Sequence, residues 1–358
     1  MLELAVAAGA MGGLVLAVGQ AGRLAGPYLR STEAVAATIS PSRAPPSPLR
    51  RLPAATLEVA PPAPAVVTVF GAPDDVLLAP LGTGAVTKIR VNHGGTSLSL
   101  RLDFASGARA AFKPEQIHPQ SDPRREIAAY RLDRLLGIGR VPPAKPIAIP
   151  LAKLLEAAEP RHRRVISGRL ADEAIVHDGV VRGELSWWIP EIKVASLDGE
   201  SVDGTEGKAR WTAYLQVGAI IPPTVRPLVE QIAQVIVFDV LIDNPDRWTG
   251  NNTMMSPDRR VFYFMDNSMS FSTFGFGHRS NLLALRRLQV FPRALVERMR
   301  TLTEAELTDA LDIPDDLGLG PLLDEDEIHA VIVRRDNMLR YIDQVIAEHG
   351  EDAVLALP

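Results

Sequence analysis

The chain has 358 residues, no cysteine and a formal net charge of −5. Without cysteine there are no disulfides and no thiolate metal sites. A mildly acidic balance offers no basic field for nucleic acid, so that partner is excluded.

In chain order, the first feature is apolar. From Leu4 to Gly19 the chain carries no charge for 16 residues and is rich in Ala and Gly. That is short for a spanning helix and near the length of a signal core. The only charge before it is Glu3, and Arg23 and Arg30 follow it. Residues 1–30 therefore read as a membrane anchor or export signal, with a frayed cytosolic extension as the alternative. Residues 31–67 are rich in Pro, Ala and Ser, cannot bury a core, and read as an extended, disordered linker. Residues 68–358 remain for a domain of ordinary two-lobed size.

The first part of that domain, about 76–195, is expected to be rich in strands, at 76–78, 85–91, 97–103 and 108–113, with further strands at 165–175 and 189–194. Gly82-Thr83-Gly84 precedes one of them and is either a phosphate-covering loop or a tight turn. Ala-Arg-Ala-Ala-Phe-Lys-Pro at 108–114 suits a buried strand ended by Pro114. Its Lys113 either reaches inward to an anion or snorkels to solvent. Residues 124–137 have helical spacing through Ala128, Leu132, Leu135 and Leu136, with Gly137 as cap. Glu126 lies in the first turn, where a carboxylate suits the helix dipole and can equally hold a lysine. Trp187-Trp188 is read as core, with one ring able to flank a planar ligand.

The second part, about 208–350, is expected to be helical. Leu228, Ile232, Val235, Ile236 and Val240 form one stripe, and Val237, Phe238, Leu241 and Ile242 add further apolar surface, as in a centrally buried helix. It runs directly into Asp-Asn-Pro-Asp-Arg-Trp-Thr-Gly-Asn-Asn at 243–252, and an apolar run then ends in Asp266. Phe271, Phe274, Gly275, Phe276 and Gly277 follow, as a loop over a site or an ordinary surface loop. Thr303 and Glu306 have capping-box spacing. A last helix at 325–349 is capped by Gly350, and the acidic run 324–327 is helix-start chemistry rather than a metal site. The acidic turns at 198–206 lack the ligand spacing of a calcium loop.

An Asp (Asp246) five residues before an Asn (Asn251), then a strand, then an Asp (Asp266) is the order in which kinases supply a hydroxyl-orienting carboxylate and two metal ligands. The segment Glu-Ile-Ala-Ala-Tyr-Arg-Leu-Asp-Arg-Leu-Leu-Gly-Ile-Gly-Arg-Val-Pro-Pro at 126–143 resembles the region after the phosphate-binding lysine in the atypical secretory-pathway kinases. These include the Golgi casein kinase, the proteoglycan xylose kinase and the four-jointed kinase. Residues 237–252 are similar to the four-jointed type of catalytic loop, and Phe-Met-Asp-Asn at 264–267 to its metal-binding strand end. Trp248 stands where the more distant HipA-type and phosphatidylinositol kinases have a histidine of an Asp-Arg-His motif.

The resemblance implies an α+β, two-lobed atypical protein-kinase-like fold and an ATP-dependent phosphotransferase using Mg²⁺ or Mn²⁺. Asp246 would be catalytic. Lys113, Glu126, Gly82 and Gly84 would bind nucleotide. Asp266 and Asn251 would hold metal. The acceptor would be a Ser/Thr hydroxyl of a protein or a hydroxyl of a glycan; a nucleotide-binding pseudokinase scaffold is the alternative of another class. Lack of cysteine with abundant Ala, Arg and Pro points to a bacterial member, exported or membrane-anchored.

Overall fold

The computed structural model describes residues 68–92, 95–249 and 252–358. The leader at 1–30, the linker at 31–67 and the metal candidate Asn251 lie outside the described residues.

The N-terminal part is built on one antiparallel sheet. Its strands are β1 (Val86–Val91), β2 (Leu100–Phe104), β3 (Arg109–Pro114), β4 (Ala144–Pro150), β5 (Val176–His177) and β6 (Val180–Trp187). They are ordered β1-β2-β3-β6-β4, with β5 also pairing to β6. One face of this sheet is dry. Ile89, Leu100, Leu102, Phe112, Val181 and Leu185 pack there against Leu154, Ile166 and Leu170. The last three come from α3 (Leu151–Ala157) and α4 (Arg163–Glu173). Gly183 lets β6 lie close to β3, because a Cβ there would stand 2.3 Å from the Lys113 carbonyl oxygen.

Two short expectations fail in this part. Residues 76–78 belong to α1 (Asp74–Leu78), not a strand. Pro73 and the acidic first turn Asp74-Asp75 are helix-start chemistry, which outweighs three apolar residues. Residues 165–175 fall mainly in α4, where Ile166 and Leu170 are buried four residues apart on one helical face, while Val165 is exposed. At 189–194 only the two-residue β7 (Lys193–Val194) forms. It pairs with β10 (Met254–Met255), which pairs in turn with β11 (Phe262–Tyr263). A separate hairpin joins β8 (Ser196–Leu197) to β9 (Glu200–Ser201).

The C-terminal part is helical. It contains α5 (Thr205–Tyr214), α6 (Arg226–Ile242), α7 (Arg279–Leu285), α8 (Arg293–Thr301), α9 (Glu304–Leu311), α10 (Glu325–His349) and α11 (Glu351–Val354). The centre is α6, in which every residue from Val235 to Ile242 is buried. Thr303 caps α9 by accepting from the Glu306 amide at 3.1 Å. Asp324 and Glu327 form a reciprocal capping box at the start of α10, so the acidic run is helix-start chemistry.

Between β3 and β4 lies α2 (Pro123–Leu135), capped by the Asp122 side chain. Its residues Ile127, Ala128 and Leu132, with Leu136 just past its end, join the core of the helical part. Glu126 is thereby fixed relative to α6, while Lys113 belongs to the sheet. The cleft between these elements is therefore built from both halves of the fold.

Candidate active site

A cavity of about 400 Å³ opens beside the sheet. On its floor, Ala111 and Lys113 of β3 face Ser186 and Glu184 of β6 in register. Val141, Met254 and Met265 supply apolar surface, and Trp187, Trp188 and Ile189 close one end. Both tryptophans line the cavity. Trp187 also meets Phe70 edge-on at 5.7 Å, so it serves core and cleft together. Gly82 and Gly84 do not line it. A Cβ on Gly82 would meet Ile147 and Leu185, which places that turn against the sheet, and both glycines have positive φ as a tight turn requires. Asn92, Gly95, Ser97 and Ser99, between β1 and β2, contribute to the lining instead.

Lys113 is the hub of the polar end. Its Nζ donates to Glu126 Oε1 at 2.5 Å and to Asp266 Oδ1 at 2.6 Å. Burial opposes its charge, but Asp266 and Glu126 outweigh burial and hold the ammonium well above its ordinary pKa. Reciprocally, the Lys113 charge keeps Asp266 below the usual carboxylate range against its burial. Glu126 is fixed from its other side by the Asn267 amide at 2.9 Å and the Asn267 side chain at 3.3 Å. Lys113, Glu126 and Asp266 thus meet although 153 residues separate the outer two.

Asp246 sits on the turn after α6. Asn244 Oδ1 accepts from the Asp246 amide at 3.0 Å, and Asn244 Nδ2 donates to the Asp266 carbonyl at 3.0 Å. One buried asparagine therefore ties the two aspartates to a common frame. Asn252 Nδ2 donates to Asp246 Oδ2 at 2.6 Å, and the Thr249 hydroxyl donates to Oδ1.

Arg247, fully buried, bonds to Asp239 of α6 at 3.2 Å and donates to Asn267 Oδ1 at 2.7 Å and to the Met265 carbonyl. It locks the catalytic-type turn to the segment bearing Asp266. Burial pushes Asp239 up to about 6 despite Arg247, so the pair is costly to bury and damaging to break. Arg247→Met should destabilise the fold by about 3–5 kcal/mol, because Asp239 then loses its partner. Urea unfolding at neutral pH measures this. A loss under about 1 kcal/mol would show that the pair is not needed.

Residue reading alone missed Glu184, Asn244, Arg247, Asn252 and Asn267. Glu184 is buried beside Lys113. Its carboxyl is held well above its ordinary pKa, first by burial and then by the Glu126 charge, and it accepts from Ser186 Oγ at 2.8 Å. A strand assignment at 180–187 would have exposed it, since its pairing sets it opposite Lys113. Trp248 does not line the cleft. It packs on Trp211 with ring centroids 5.7 Å apart, so the indole in place of a histidine serves the helical core.

No model of a known protein family matches the chain. Individual proteins do. The glycosaminoglycan xylosylkinase of Homo sapiens is 25% identical over 310 residues, covering 77% of this chain and 76% of the xylosylkinase. The extracellular serine/threonine protein kinase FAM20C of Homo sapiens is 20% identical over 324 residues, covering 78% of this chain and 56% of FAM20C. The pseudokinase FAM20A of Mus musculus is 25% identical over 310 residues, 74% of this chain and 57% of FAM20A. This chain is a homologue of the Fam20 kinases. The fold agrees with that kinship. The crystal structure of the Golgi casein kinase superposes with a TM-score of 0.62 at 17% identity, over 79% of this chain and 77% of the other. The same kinase with Mn/ADP bound gives 0.60 at 16% identity, over 79% and 78%. The bacterial origin read from composition gains nothing from these vertebrate relatives.

Proposed function

We propose that this Fam20 homologue is an ATP- and metal-dependent kinase that transfers the γ-phosphate to an alcohol hydroxyl. One observation carries the reading: Lys113, Glu126 and Asp266, from three distant segments, converge within 2.5 and 2.6 Å on the polar end of a cleft. Phosphoryl transfer is catalysed chiefly by positioning and charge neutralisation, and these are the groups that it requires.

The residues fit a divalent cation. Asp266 and Glu126 offer hard oxygen donors. Among the described residues no group of three or more His, Cys, Asp or Glu side chains could hold an ion unaided. That suits a site completed by nucleotide phosphates and water, as Mg²⁺ sites commonly are. A bound Mg²⁺ or Mn²⁺, held by Asp266 with Glu126, would supply positive charge to offset what develops on the phosphates. Lys113, held by Glu126, reaches the phosphates. Asp246, with its oxygens oriented by Asn252 and Thr249, aligns the acceptor hydroxyl and takes its proton as the oxygen attacks the γ-phosphorus and ADP leaves. Asn251 is assigned as a further metal ligand from its place in the motif alone. The apolar stretch from Ala111 to Met254 and Met265 suits the adenine ring, with Trp187 or Trp188 at its edge.

The acceptor proposed is a Ser/Thr hydroxyl of a protein, with a catalytic loop of the four-jointed type. The human xylosylkinase, matched over 76% of its own length at 25% identity against 56% and 20% for FAM20C, favours a glycan hydroxyl as the second reading. Kinship with FAM20A keeps a pseudokinase in contention, and the presence of Lys113, Glu126, Asp246 and Asp266 argues for turnover. Incubating the full chain with γ-labelled ATP, Mn²⁺ or Mg²⁺, and separate protein and xylose-containing glycan acceptors decides among them. Label on protein supports the first reading and label on glycan the second. Tight metal–ATP binding with no transfer supports the pseudokinase.

We place the protein in the cell envelope, exported or anchored through residues 1–30. No helix among the described residues is long and apolar enough to cross a membrane. Residues 68–358 are proposed as the folding and catalytic unit, since the cleft and both hydrophobic cores lie within them. A chain starting at residue 68 should melt cooperatively and bind ATP as the full chain does. An aggregated or gradually melting product would refute that boundary.

A further inference from the structure

Asp243 takes no part in the transfer step above, yet it is heavily restrained at the start of the turn that bears Asp246. It caps α6 in the left-handed region, with φ 55°. Its side chain is fully buried and accepts from four donors. The His278 amide donates to Oδ1 at 2.6 Å and Asn281 Nδ2 at 3.0 Å. His278 Nδ1 lies 2.7 Å from Oδ2, which the Ser272 hydroxyl also reaches. Gly277 leaves room for this approach, since a Cβ there would stand 2.9 Å from Oδ1 at a φ of 68°. Arg334 of α10 straps the same region from behind, donating to the carbonyls of Leu241 at 2.9 Å, Ser272 at 2.7 Å and Phe274 at 3.0 Å.

Two further non-glycine residues with positive φ lie in this region: Asp266 at 59° and Phe271 at 62°. The Phe271 amide donates to the Ile242 carbonyl at 2.5 Å. Each such conformation persists only where its surroundings over-determine it. The strained backbone thus runs from the metal-binding aspartate, through Phe271, to the start of the Asp246 turn. Next to Asp243, Asn244 binds both the Asp246 amide and the Asp266 carbonyl. A shift of Asp243 would therefore be passed to both aspartates.

We propose that His278 is a positioning residue for phosphoryl transfer, acting through Asp243 to hold the turn that carries Asp246. This rests on the kinase reading above. His278 suits the role because its side chain is 38% exposed and caps no helix by a side-chain bond; its ring bonds to Asp243 and meets Phe274 edge-on at 6.1 Å. His278 itself is not among the residues that line the cleft.

The test compares the full chain with His278→Ala and His278→Asn. The asparagine amide nitrogen can take the place of Nδ1 and keep the bond to Asp243. Steady-state kinetics with Mn²⁺, ATP and the acceptor found above give kcat and the KM for ATP; amide hydrogen exchange follows residues 243–249. His278→Ala should lower kcat about 10- to 100-fold, since a misplacement of about 1 Å has that effect. The KM for ATP should change by less than about two-fold, and exchange at 243–249 should rise. His278→Asn should restore both readouts toward wild type. An unchanged kcat in His278→Ala, a matching rise in the KM for ATP, or an asparagine variant no better than alanine would overturn the proposal. If the wild type transfers no phosphate, it is the kinase reading that fails. Exchange then decides the positioning claim: unchanged protection at 243–249 in His278→Ala overturns it, and a rise there, reversed by Asn, upholds the coupling.

Discussion

Asp246→Asn should keep ATP affinity within a few-fold of wild type while cutting turnover by about 10²- to 10⁴-fold, the usual contribution of a positioned acid–base group. The backbone at 246 is held independently of its carboxylate, by Asn244 on the amide and by the buried α6 behind it. The exchange of one oxygen for an amide therefore leaves the turn in place. Only the capacity to orient the acceptor hydroxyl and accept its proton is lost. Single-turnover kinetics beside ATP titration separates the two quantities. A variant that loses binding and turnover together would assign Asp246 to metal binding or to structure.

Asp266→Ala should abolish the stimulation of ATP binding by Mn²⁺ or Mg²⁺ while leaving the fold intact. The side chain is partly exposed to the cleft, and its bonds are to Lys113 and Ser268 rather than to the core. Losing it removes the carboxylate that a phosphate-bridging cation would use. Lys113 keeps Glu126 as a partner, so its charge stays compensated. Calorimetric titration of ATP with and without Mn²⁺ reads the effect. Equal metal-stimulated affinity in variant and wild type would remove Asp266 from the metal site.

Lys113, Glu126, Asp246 and Asp266 stand out as candidates because each sits at a place where local pattern is strong. Lys113 ends an apolar strand, Glu126 opens a capped helix, Asp246 follows a largely apolar helix, and Asp266 ends an apolar run. The structure brings Lys113, Glu126 and Asp266 into contact. What stayed hidden depends on partners distant in sequence. Glu184 matters because strand register sets it opposite Lys113. Arg247 looked like part of a motif, but its role comes from Asp239, Asn267 and Met265. Gly82 and Gly84 had a plausible spacing, but neither lines the cleft, whereas Gly95 and Ser97 do. The strand expected at 165–175 rested on Val and Ile content, whereas burial of Ile166 and Leu170 four apart is a helical pattern.

Trp248 shows how a departure from a motif is resolved by packing. In sequence it stands where distant kinases have a histidine. In the fold it lies against Trp211, in the core of the helical part, and leaves the polar end of the cleft unaltered.

The most direct measurement is phosphorus NMR of the full chain with ATP, Mg²⁺ and the protein and glycan acceptors. The expected result is loss of the γ-phosphate signal with matching growth of a phosphomonoester signal. That growth should depend on the metal and disappear in Asp246→Asn. Metal-dependent ATP binding with no phosphomonoester on any acceptor, or transfer that persists undiminished in Asp246→Asn, would contradict the assignment of this cleft as a kinase active site.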